Sequence, residues 1–278
     1  MNTPHAPGTV RVAAVQMVST SRVDANLAAA AELIREAAAT GAQLVALPEY
    51  FCLMGMQDTD KVGVREALGR GPIQDFLAAQ ARQHGLWLVG GTLPLEATEA
   101  DRVLNTTLVF DPRGERVARY DKVHLFRFTR GQESYDEAAT IAPGSAVSTF
   151  SLTTTEGPTL KVGLSVCYDL RFPELYRAMN QPDLILVPAA FTATTGKAHW
   201  ETLLRARAIE NLCYVLAPAQ GGLHENGRAT FGHSMLIDPW GVVLANRPEG
   251  PGVVFGDIDP QVIARCRASL PALAHRVM

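Results

Sequence analysis

The chain has 278 residues, of which 47% are hydrophobic and 19% are charged, with a formal net charge of −3. This balance is typical of a globular enzyme, and the lack of a basic block disfavours a nucleic-acid-binding protein. No apolar run approaches the roughly 20 residues of a membrane span, and residues 1–9 lack the features of a signal peptide. We therefore expect a cytoplasmic protein that binds neither nucleic acid nor membrane.

The chain opens with a strand–helix–strand pattern. Residues 10–17 and 44–47 are apolar runs that predict buried strands, and residues 25–40 carry apolar side chains at helical spacing. Gly41 follows this helix, where a C-terminal glycine is expected. Two strands joined by a helix run parallel, so the segment predicts a crossover unit. The pattern continues with a helix at 74–84 and a strand within 85–91.

A hairpin follows, because the predicted strands 105–110 and 115–120 are separated by the turn sequence Asp111-Pro112-Arg113-Gly114. Residues 120–144 then show weak periodicity, and loops this long in compact domains are often functional. The second half alternates again, with predicted strands at 161–166, 184–187, 213–217 and 253–258, helices from Pro173 and at 198–212 and 260–268, and a hairpin at 235–237 and 242–244. Crossovers together with hairpins predict mixed sheets covered by helices. No linker divides the chain, so we expect one domain over residues 1–278, with its core at about 10–270.

One of the four cysteines has the setting of a nucleophile. Cys52, Cys167, Cys213 and Cys266 form no C-x-x-C pair, so neither a zinc site nor a thioredoxin-like motif is indicated, and we expect reduced thiols. Cys167 follows a buried-strand pattern and precedes a sharp turn into a helix. Such a turn presents a nucleophile out of the sheet, beside backbone N–H groups that face a developing oxyanion. The alternative is a buried cysteine that acts as a small hydrophobe. We expect the other three cysteines to be structural, with Cys213 in the core.

A thiol nucleophile needs a base, and two kinds of residue are available. His124, His199 and His233 are candidates for a Cys–His enzyme. Glu49 ends the apolar run Leu-Val-Ala-Leu-Pro, at the carboxyl end of a predicted parallel strand, where ligands gather in open α/β sheets. A carboxylate beside so much apolar sequence suits a general base. The alternative for Glu49 is a solvated acid at a strand end.

Three motifs, in chain order, resemble the Glu, Lys and Cys motifs of the nitrilase superfamily. They are Leu-Pro-Glu-Tyr (47–50), Asp-Lys-Val-His-Leu-Phe (121–126) and Val-Cys-Tyr-Asp-Leu-Arg-Phe-Pro-Glu (166–174). The likeness extends over essentially the whole chain. It implies an α/β fold, a four-layer α-β-β-α sandwich with mixed sheets, usually assembled as a homodimer or a larger oligomer.

The resemblance also implies roles that the local sequence does not assign. Glu49 would be the base, Cys167 the nucleophile, and Lys122 with the backbone N–H of Tyr168 would hold the oxyanion. Glu133 matches the family's second glutamate, which steadies the lysine, although Lys122 and Glu133 taken alone resemble ordinary surface charges. This chemistry needs no metal and no organic cofactor.

Substrate binding follows from a narrower likeness. Residues 195–200, 204–211 and 232–241 resemble the branch of deaminated glutathione amidases and omega-amidases, and the sequences around Pro173 and Arg228 favour the former. Arg171 is suited to grip a substrate carboxylate, unless it pairs with Glu174 or Asp169. Phe191 and Thr195 match pocket positions, although Phe191 also suits core packing.

The expected activity is hydrolysis of deaminated glutathione to 2-oxoglutarate and Cys-Gly through a thioester. The alternatives are an omega-amidase acting on 2-oxoglutaramate or 2-oxosuccinamate, a nitrile or N-carbamoyl hydrolase, and a non-catalytic interaction protein of the same fold. The presence of Glu49, Lys122 and Cys167 together argues against the last alternative.

Overall fold

The computed structural model describes residues 7–154 and 157–277. We expected residues 1–9 not to form a signal peptide. Most of that segment, residues 1–6, lies outside the described residues. The helices are α1 (Val23–Ala39), α2 (Asp60–Gly63), α3 (Pro72–His84), α4 (Pro173–Ala178), α5 (Ala193–Asn211) and α6 (Pro260–Ser269), with short 3-10 helices at Glu137–Ala139 and Cys167–Arg171. Within the described ranges, no helix has both the length and the apolar character needed to cross a membrane.

The strands are numbered in chain order. They are β1 (Val10–Gln16), β2 (Leu44–Ala46), β3 (Trp87–Val89), β4 (Leu93–Glu96), β5 (Val103–Phe110), β6 (Arg116–Asp121), β7 (Arg127–Arg130), β8 (Glu133–Asp136), β9 (Ile141–Ala142), β10 (Ser148–Thr153), β11 (Thr159–Leu164), β12 (Leu184–Leu186), β13 (Tyr214–Ala217), β14 (Gly221–Leu223), β15 (Ala229–Phe231), β16 (Ser234–Ile237), β17 (Val243–Arg247) and β18 (Gly252–Ile258).

Two mixed sheets contain most of these strands, and β7–β8 and β14–β15 form separate two-stranded sheets. One has the order β18-β1-β2-β3-β5-β4, with β6 and β9 also paired to β5, and the other has the order β10-β11-β12-β13-β16-β17. In each sheet three central strands run parallel: β1, β2 and β3 in the first, and β11, β12 and β13 in the second. Antiparallel strands flank each parallel centre. The prediction of mixed sheets is therefore confirmed.

The alternation of side chains along β1 defines the layers. Val10, Val12 and Ala14 belong to the core that joins the two sheets, whereas Ala13 and Val15 belong to the core beneath the first sheet's helices. Successive strand residues point to opposite faces, so both faces of this apolar strand are buried. Helices α1 and α3 pack on the first sheet, α5 packs on the second, and α4 packs against α5. The result is the expected four-layer α-β-β-α sandwich.

The parallel centres bring two segments together. Glu49 follows the last residue of β2 by three positions, and Cys167 follows the last residue of β11 by three positions. Each residue therefore leaves the carboxyl end of a central parallel strand, one from each facing sheet. Because the two sheets pack face to face, these two strand ends lie side by side, and the candidate site forms between them.

The stretch at 120–144 is more structured than its weak periodicity predicts. It contains the antiparallel hairpin β7–β8, a 3-10 helix and the short strand β9. The hairpin is largely exposed, so no buried face imposes an alternating apolar pattern on its sequence. The edge strand β10 has one buried face, formed by Phe150 and Leu152, but its sequence is otherwise rich in Ser and Thr, and the hairpin β14–β15 has only three residues in each strand.

Candidate active site

Cys167 lies at a sharp turn between a strand and a helix. It is the first residue of the 3-10 helix Cys167–Arg171, its φ is +51°, and it is 7% exposed. A positive φ is uncommon for a residue other than glycine, and such strained residues cluster at functional sites. The Cys167 N–H is occupied, since it donates to the carbonyl of Pro188 at 2.9 Å. The N–H of Tyr168 lies in the first turn of the helix, where backbone donors have no acceptor within the helix.

Glu49 is completely buried and held on both carboxylate oxygens. Its Oε1 accepts hydrogen bonds from Lys122 Nζ at 2.9 Å and from Asn105 Nδ2 at 3.0 Å. Its Oε2 accepts one from the backbone N–H of Ala190 at 2.9 Å, and its negative charge raises the pKa of the Cys167 thiol. A solvated acid at a strand end is therefore excluded. The sequence did not indicate Asn105, which lies on β5, or Ala190, which follows β12. Neither residue has neighbours in the sequence that mark it as part of a site.

Lys122 is a fully buried cation between two acids. Its Nζ lies 2.9 Å from Glu49 Oε1 and 2.9 and 2.8 Å from the two carboxylate oxygens of Glu137. Burial lowers the pKa of Lys122, but the negative charges of Glu137 and Glu49 outweigh it, so the pKa is raised above its ordinary value. Lys122 is therefore protonated throughout the neutral pH range. It carries the positive charge that an oxyanion would require.

The prediction that Glu133 steadies Lys122 is wrong, because Glu137 holds that position. Glu137 also accepts hydrogen bonds from the Tyr50 hydroxyl at 2.8 Å and the Phe126 N–H at 2.7 Å. Glu133 instead lies on β8 and accepts from the Thr194 hydroxyl at 2.8 Å. The reason is the path of the chain: the surface hairpin carries Glu133 away, and the 3-10 helix after it returns Glu137 to the lysine. Burial would raise the pKa of Glu137, but Lys122 overcomes this and lowers it.

The electrostatic setting keeps the Cys167 thiol protonated at rest. Burial raises the pKa of Cys167, and the negative charges of Glu49 and Glu137 raise it further. The positive charge of Lys122 acts in the opposite direction, but the net pKa lies well above the ordinary value. A neutral thiol is a weak nucleophile, so attack requires transfer of its proton to a neighbouring base. Glu49 is the carboxylate whose charge acts most strongly on the thiol.

Asp169 links the cysteine segment to the lysine segment. It is completely buried, and its Oδ2 accepts from the Val166 N–H at 2.8 Å and from the Tyr120 hydroxyl at 2.7 Å. Its Oδ1 accepts from the His124 N–H at 3.0 Å and lies 2.7 Å from the ring Nδ1 of the same histidine. Sequence reasoning considered Asp169 only as a partner for Arg171. An acid in the first turn of a helix was the signal that could have indicated its capping role.

The three candidate histidines have other partners. His124 bonds to Asp169 and stacks on the ring of Phe172 with centroids 3.7 Å apart. His199 Nδ1 lies 3.2 Å from Arg171 Nη1, and His233 lies 3.3 Å from the side chain of Asn246. None of the three lines the cavity over Cys167. The Cys–His alternative therefore has no support in the geometry.

The other cysteines lack a comparable setting. Burial raises the pKa of Cys52 to about 12 and also raises that of Cys213. Cys266 lies partly exposed on α6. All four thiols are free of disulfides. In the part of the chain that the structure describes, no three His, Cys, Asp or Glu side chains are grouped as metal ligands would be.

A small cavity lies over Cys167. Arg171, Phe191 and Thr195, the three residues expected to bind substrate, all line it, and the other lining residues are Phe126, Glu137, Tyr168, Ala190, Thr192 and Arg228. Phe191 also packs against Trp200 with ring centroids 4.8 Å apart, so it serves the core as well as the cavity wall. Thr195 hydrogen-bonds to the hydroxyl of Thr192, the residue that caps α5.

Arg171 does not pair with either of the acids proposed for it. Its guanidinium lies 5.4 Å from the Phe191 ring and 5.6 Å from the Tyr168 ring, and its hydrogen-bond partner is His199. Among the described residues no carboxylate forms an ion pair with Arg171. Asp169 instead accepts hydrogen bonds from Tyr120 and Val166. A guanidinium at a cavity wall without a carboxylate partner has donors available for an anionic ligand.

Comparison with known proteins gives a consistent result. Residues 11–268 match the carbon–nitrogen hydrolase family. A deaminated glutathione amidase of Synechocystis is 44% identical over 269 residues, covering 95% of this chain and 97% of that protein. A human deaminated glutathione amidase is 40% identical over 271 residues, covering 95% and 81%. Saccharomyces cerevisiae Nit3, a member of branch 10 of the nitrilase superfamily, superposes with a TM-score of 0.84 at 30% identity, covering 98% of this chain and 97% of that one.

Proposed function

The chain belongs to the carbon–nitrogen hydrolase family, and from that premise we propose that it is a cysteine amidase that hydrolyses deaminated glutathione to 2-oxoglutarate and Cys-Gly. The observation that carries the proposal is the buried cluster of Cys167, Glu49 and Lys122 beneath a cavity lined by Arg171. The relatives named deaminated glutathione amidase, at 44% and 40% identity, support the choice of substrate.

The first half of the reaction forms a thioester. Glu49 accepts the thiol proton while Cys167 Sγ attacks the carbonyl carbon, and the carbonyl oxygen becomes an oxyanion. Lys122 Nζ and the N–H of Tyr168 stabilise that oxyanion, and removal of one such preorganised donor from a hydrolase costs about 2.7–4 kcal/mol. Collapse of the intermediate breaks the C–N bond as Glu49 returns the proton to the leaving amine. Cys-Gly departs, and the 2-oxoglutaryl group remains on Sγ.

The second half restores the enzyme. Glu49 removes a proton from a water molecule, which attacks the thioester carbonyl and regenerates an oxyanion at the same two donors. Collapse breaks the C–S bond, the thiolate takes the proton from Glu49, and 2-oxoglutarate leaves. Glu137 keeps Lys122 oriented through both steps. Each step uses groups of this chain and water.

The acyl group is recognised at Arg171 in this proposal. The carboxylate of the 2-oxo acid would receive two N–H bonds from the guanidinium, and Phe191 and Thr195 would form the adjoining wall.

The buried charged cluster of the site argues against a non-catalytic interaction protein. Burying Glu49, Lys122 and Glu137 costs several kcal/mol per ion, and a protein that only binds a partner has no use for that arrangement.

The test compares kcat/KM for deaminated glutathione and for 2-oxoglutaramate. A preference for the former supports the proposal, whereas a clear preference for 2-oxoglutaramate would reassign the protein as an omega-amidase with the same chemistry. Arg171→Ala should weaken both reactions by about 1.5–3 kcal/mol, the contribution of hydrogen bonds to a charged group. If Arg171→Ala leaves both unchanged, the acyl carboxylate is held elsewhere.

We also propose that the protein acts in the cytoplasm as a single-domain homodimer or larger assembly. The match over residues 11–268 supports a single domain. Trp240 and Phe255 are 58% and 46% exposed, and large apolar side chains on a surface suit contact between copies. Light scattering coupled to gel filtration gives the molar mass of the assembly, and a monomer at micromolar concentration would contradict the proposal.

A further inference from the structure

The cavity over Cys167 adjoins a larger surface cleft of about 300 Å³. Phe126, Glu137 and Arg228 line both spaces, so they mark the passage between them. The acyl group stays on the enzyme after the first half of the reaction, whereas the leaving amine must depart before water attacks. Because it is bonded to Cys167, the acyl group lies in the inner cavity, and the open cleft suits the leaving group.

Arg228 has hydrogen-bond donors that the protein leaves unused. Its Nη2 donates to the carbonyl of Ala190 at 2.9 Å, and its guanidinium lies 5.2 Å from the centre of the Tyr135 ring. Its Nε is buried and has no hydrogen-bond partner among the described residues. No carboxylate in the described part of the chain forms an ion pair with it. A buried donor without a partner is costly, so its presence beside a cleft indicates a ligand group that completes it.

Lys61 is a second cation in the same cleft. Its side chain is only 15% exposed, its Nζ donates to the Thr140 hydroxyl at 3.2 Å, and Asp58 Oδ1 lies 3.8 Å away. Burial lowers the pKa of Lys61, the charges of Asp58 and Glu137 act in the opposite direction, and the positive charge of Arg228 adds to the lowering. Two cations that repel each other across a cleft are both stabilised when an anion binds between them.

The acids that line the cleft are already engaged. Glu137 is held by Lys122, and Asp136 accepts from the Ala138 N–H at 3.2 Å and lies 3.6 Å from Arg127. Asp58 is 78% exposed and lies at the limit of ion-pair distance from Lys61. Water screens an exposed pair of this kind, so it neutralises Lys61 weakly. An anionic ligand therefore meets free positive charge in the cleft.

We propose that Arg228, assisted by Lys61, binds the terminal carboxylate of the leaving group. The inference rests on the proposed function and extends it, since the enzyme then selects amides that carry a carboxylate on each side of the scissile bond. Arg171 receives the carboxylate of the acyl side, and Arg228 receives that of the amine side. The two residues of Cys-Gly span about 7 Å when extended, which carries the terminal carboxylate out of the inner cavity and into the cleft.

The experiment removes the carboxylate from the substrate and the guanidinium from the enzyme. It compares kcat/KM for 2-oxoglutaryl-Cys-Gly with kcat/KM for its C-terminal amide, in the wild type and in each variant. The wild type should prefer the free acid by about tenfold to a hundredfold, the ratio expected for a charged hydrogen bond. Arg228→Gln should bring the ratio close to one, and Arg228→Lys should retain part of it. Arg35→Gln, at an exposed arginine of α1, is the matched control and should keep the wild-type ratio.

The ratio separates recognition from general damage, because a structural defect lowers both rates of one variant together. A wild-type ratio near one, or an Arg228→Gln enzyme that keeps the full preference, overturns the inference and leaves the proposed function standing. A wild type that hydrolyses neither compound overturns the proposed function itself. If Arg228→Gln does not fold, Lys61→Gln decides the matter: the inference requires a reduced ratio, and an unchanged ratio contradicts it.

Discussion

Replacing Glu137 with Gln tests the architecture of the candidate site most directly. The carboxylate holds Lys122 Nζ with both oxygens and also accepts from Tyr50 and Phe126. An amide has one acceptor oxygen and no charge, so at least one bond to the ammonium is lost. Breaking a buried ion pair costs about 3–5 kcal/mol. Lys122 keeps Glu49 as a partner, and we therefore expect a loss of about 2–3 kcal/mol in the free energy of unfolding.

Glu137→Gln should have two opposing effects on the site, one on kcat/KM and one on the pKa of Cys167, and the two can be measured separately. Lys122 is less firmly placed to stabilise an oxyanion, so kcat/KM should fall by roughly tenfold to a hundredfold. The thiol should respond in the opposite direction, because the negative charge of Glu137 raises the pKa of Cys167. Its removal lowers that pKa, and the pH midpoint of iodoacetamide alkylation should shift to a lower value.

Glu133→Gln is the matched control for this experiment. Glu133 contacts Thr194 and lies away from Lys122, so its stability, kcat/KM and alkylation midpoint should stay close to those of the wild type. Urea unfolding, steady-state kinetics and alkylation across pH give the three quantities. If Glu133→Gln impairs turnover and Glu137→Gln does not, the assignment of the second glutamate is wrong. An alkylation midpoint that rises in Glu137→Gln would refute the electrostatic reasoning.

Three further substitutions test the remaining groups. Cys167→Ala should abolish turnover with little change in the melting temperature, because it removes the nucleophile and little volume; residual turnover near the wild-type rate contradicts the covalent route. Lys122→Met should lower kcat by at least about a hundredfold, the low end for loss of an oxyanion donor; a smaller loss would assign the oxyanion to other donors. Asp169→Asn should lower both the unfolding free energy, by about 1–3 kcal/mol, and kcat, since an amide cannot accept four hydrogen bonds; an unchanged urea midpoint would show that the Asp169 link is dispensable.

The sequence alone determined the features that depend on neighbouring residues. The apolar run of β1 and the helical spacing of α1 report burial and local geometry, which follow directly from side-chain chemistry. The positions of Glu49 and Cys167 could be read in the same way, because each residue closely follows a strand that its own neighbours define. Bounds agreed to within a few residues for such elements, whereas the short helix α2 and exposed or edge strands such as β10 escaped notice.

The tertiary structure alone decided which side chains meet. Glu133 and Glu137 are four residues apart in a stretch without periodicity, and only the course of the hairpin shows that the second one reaches Lys122. Lys61 and Arg228 are separated by more than half of the chain, yet they line one cleft. Periodicity records whether a residue is buried and carries no information about its partner. Contacts between distant segments are set by the packing of whole layers, and the partners of Lys122 and Arg228 became visible only there.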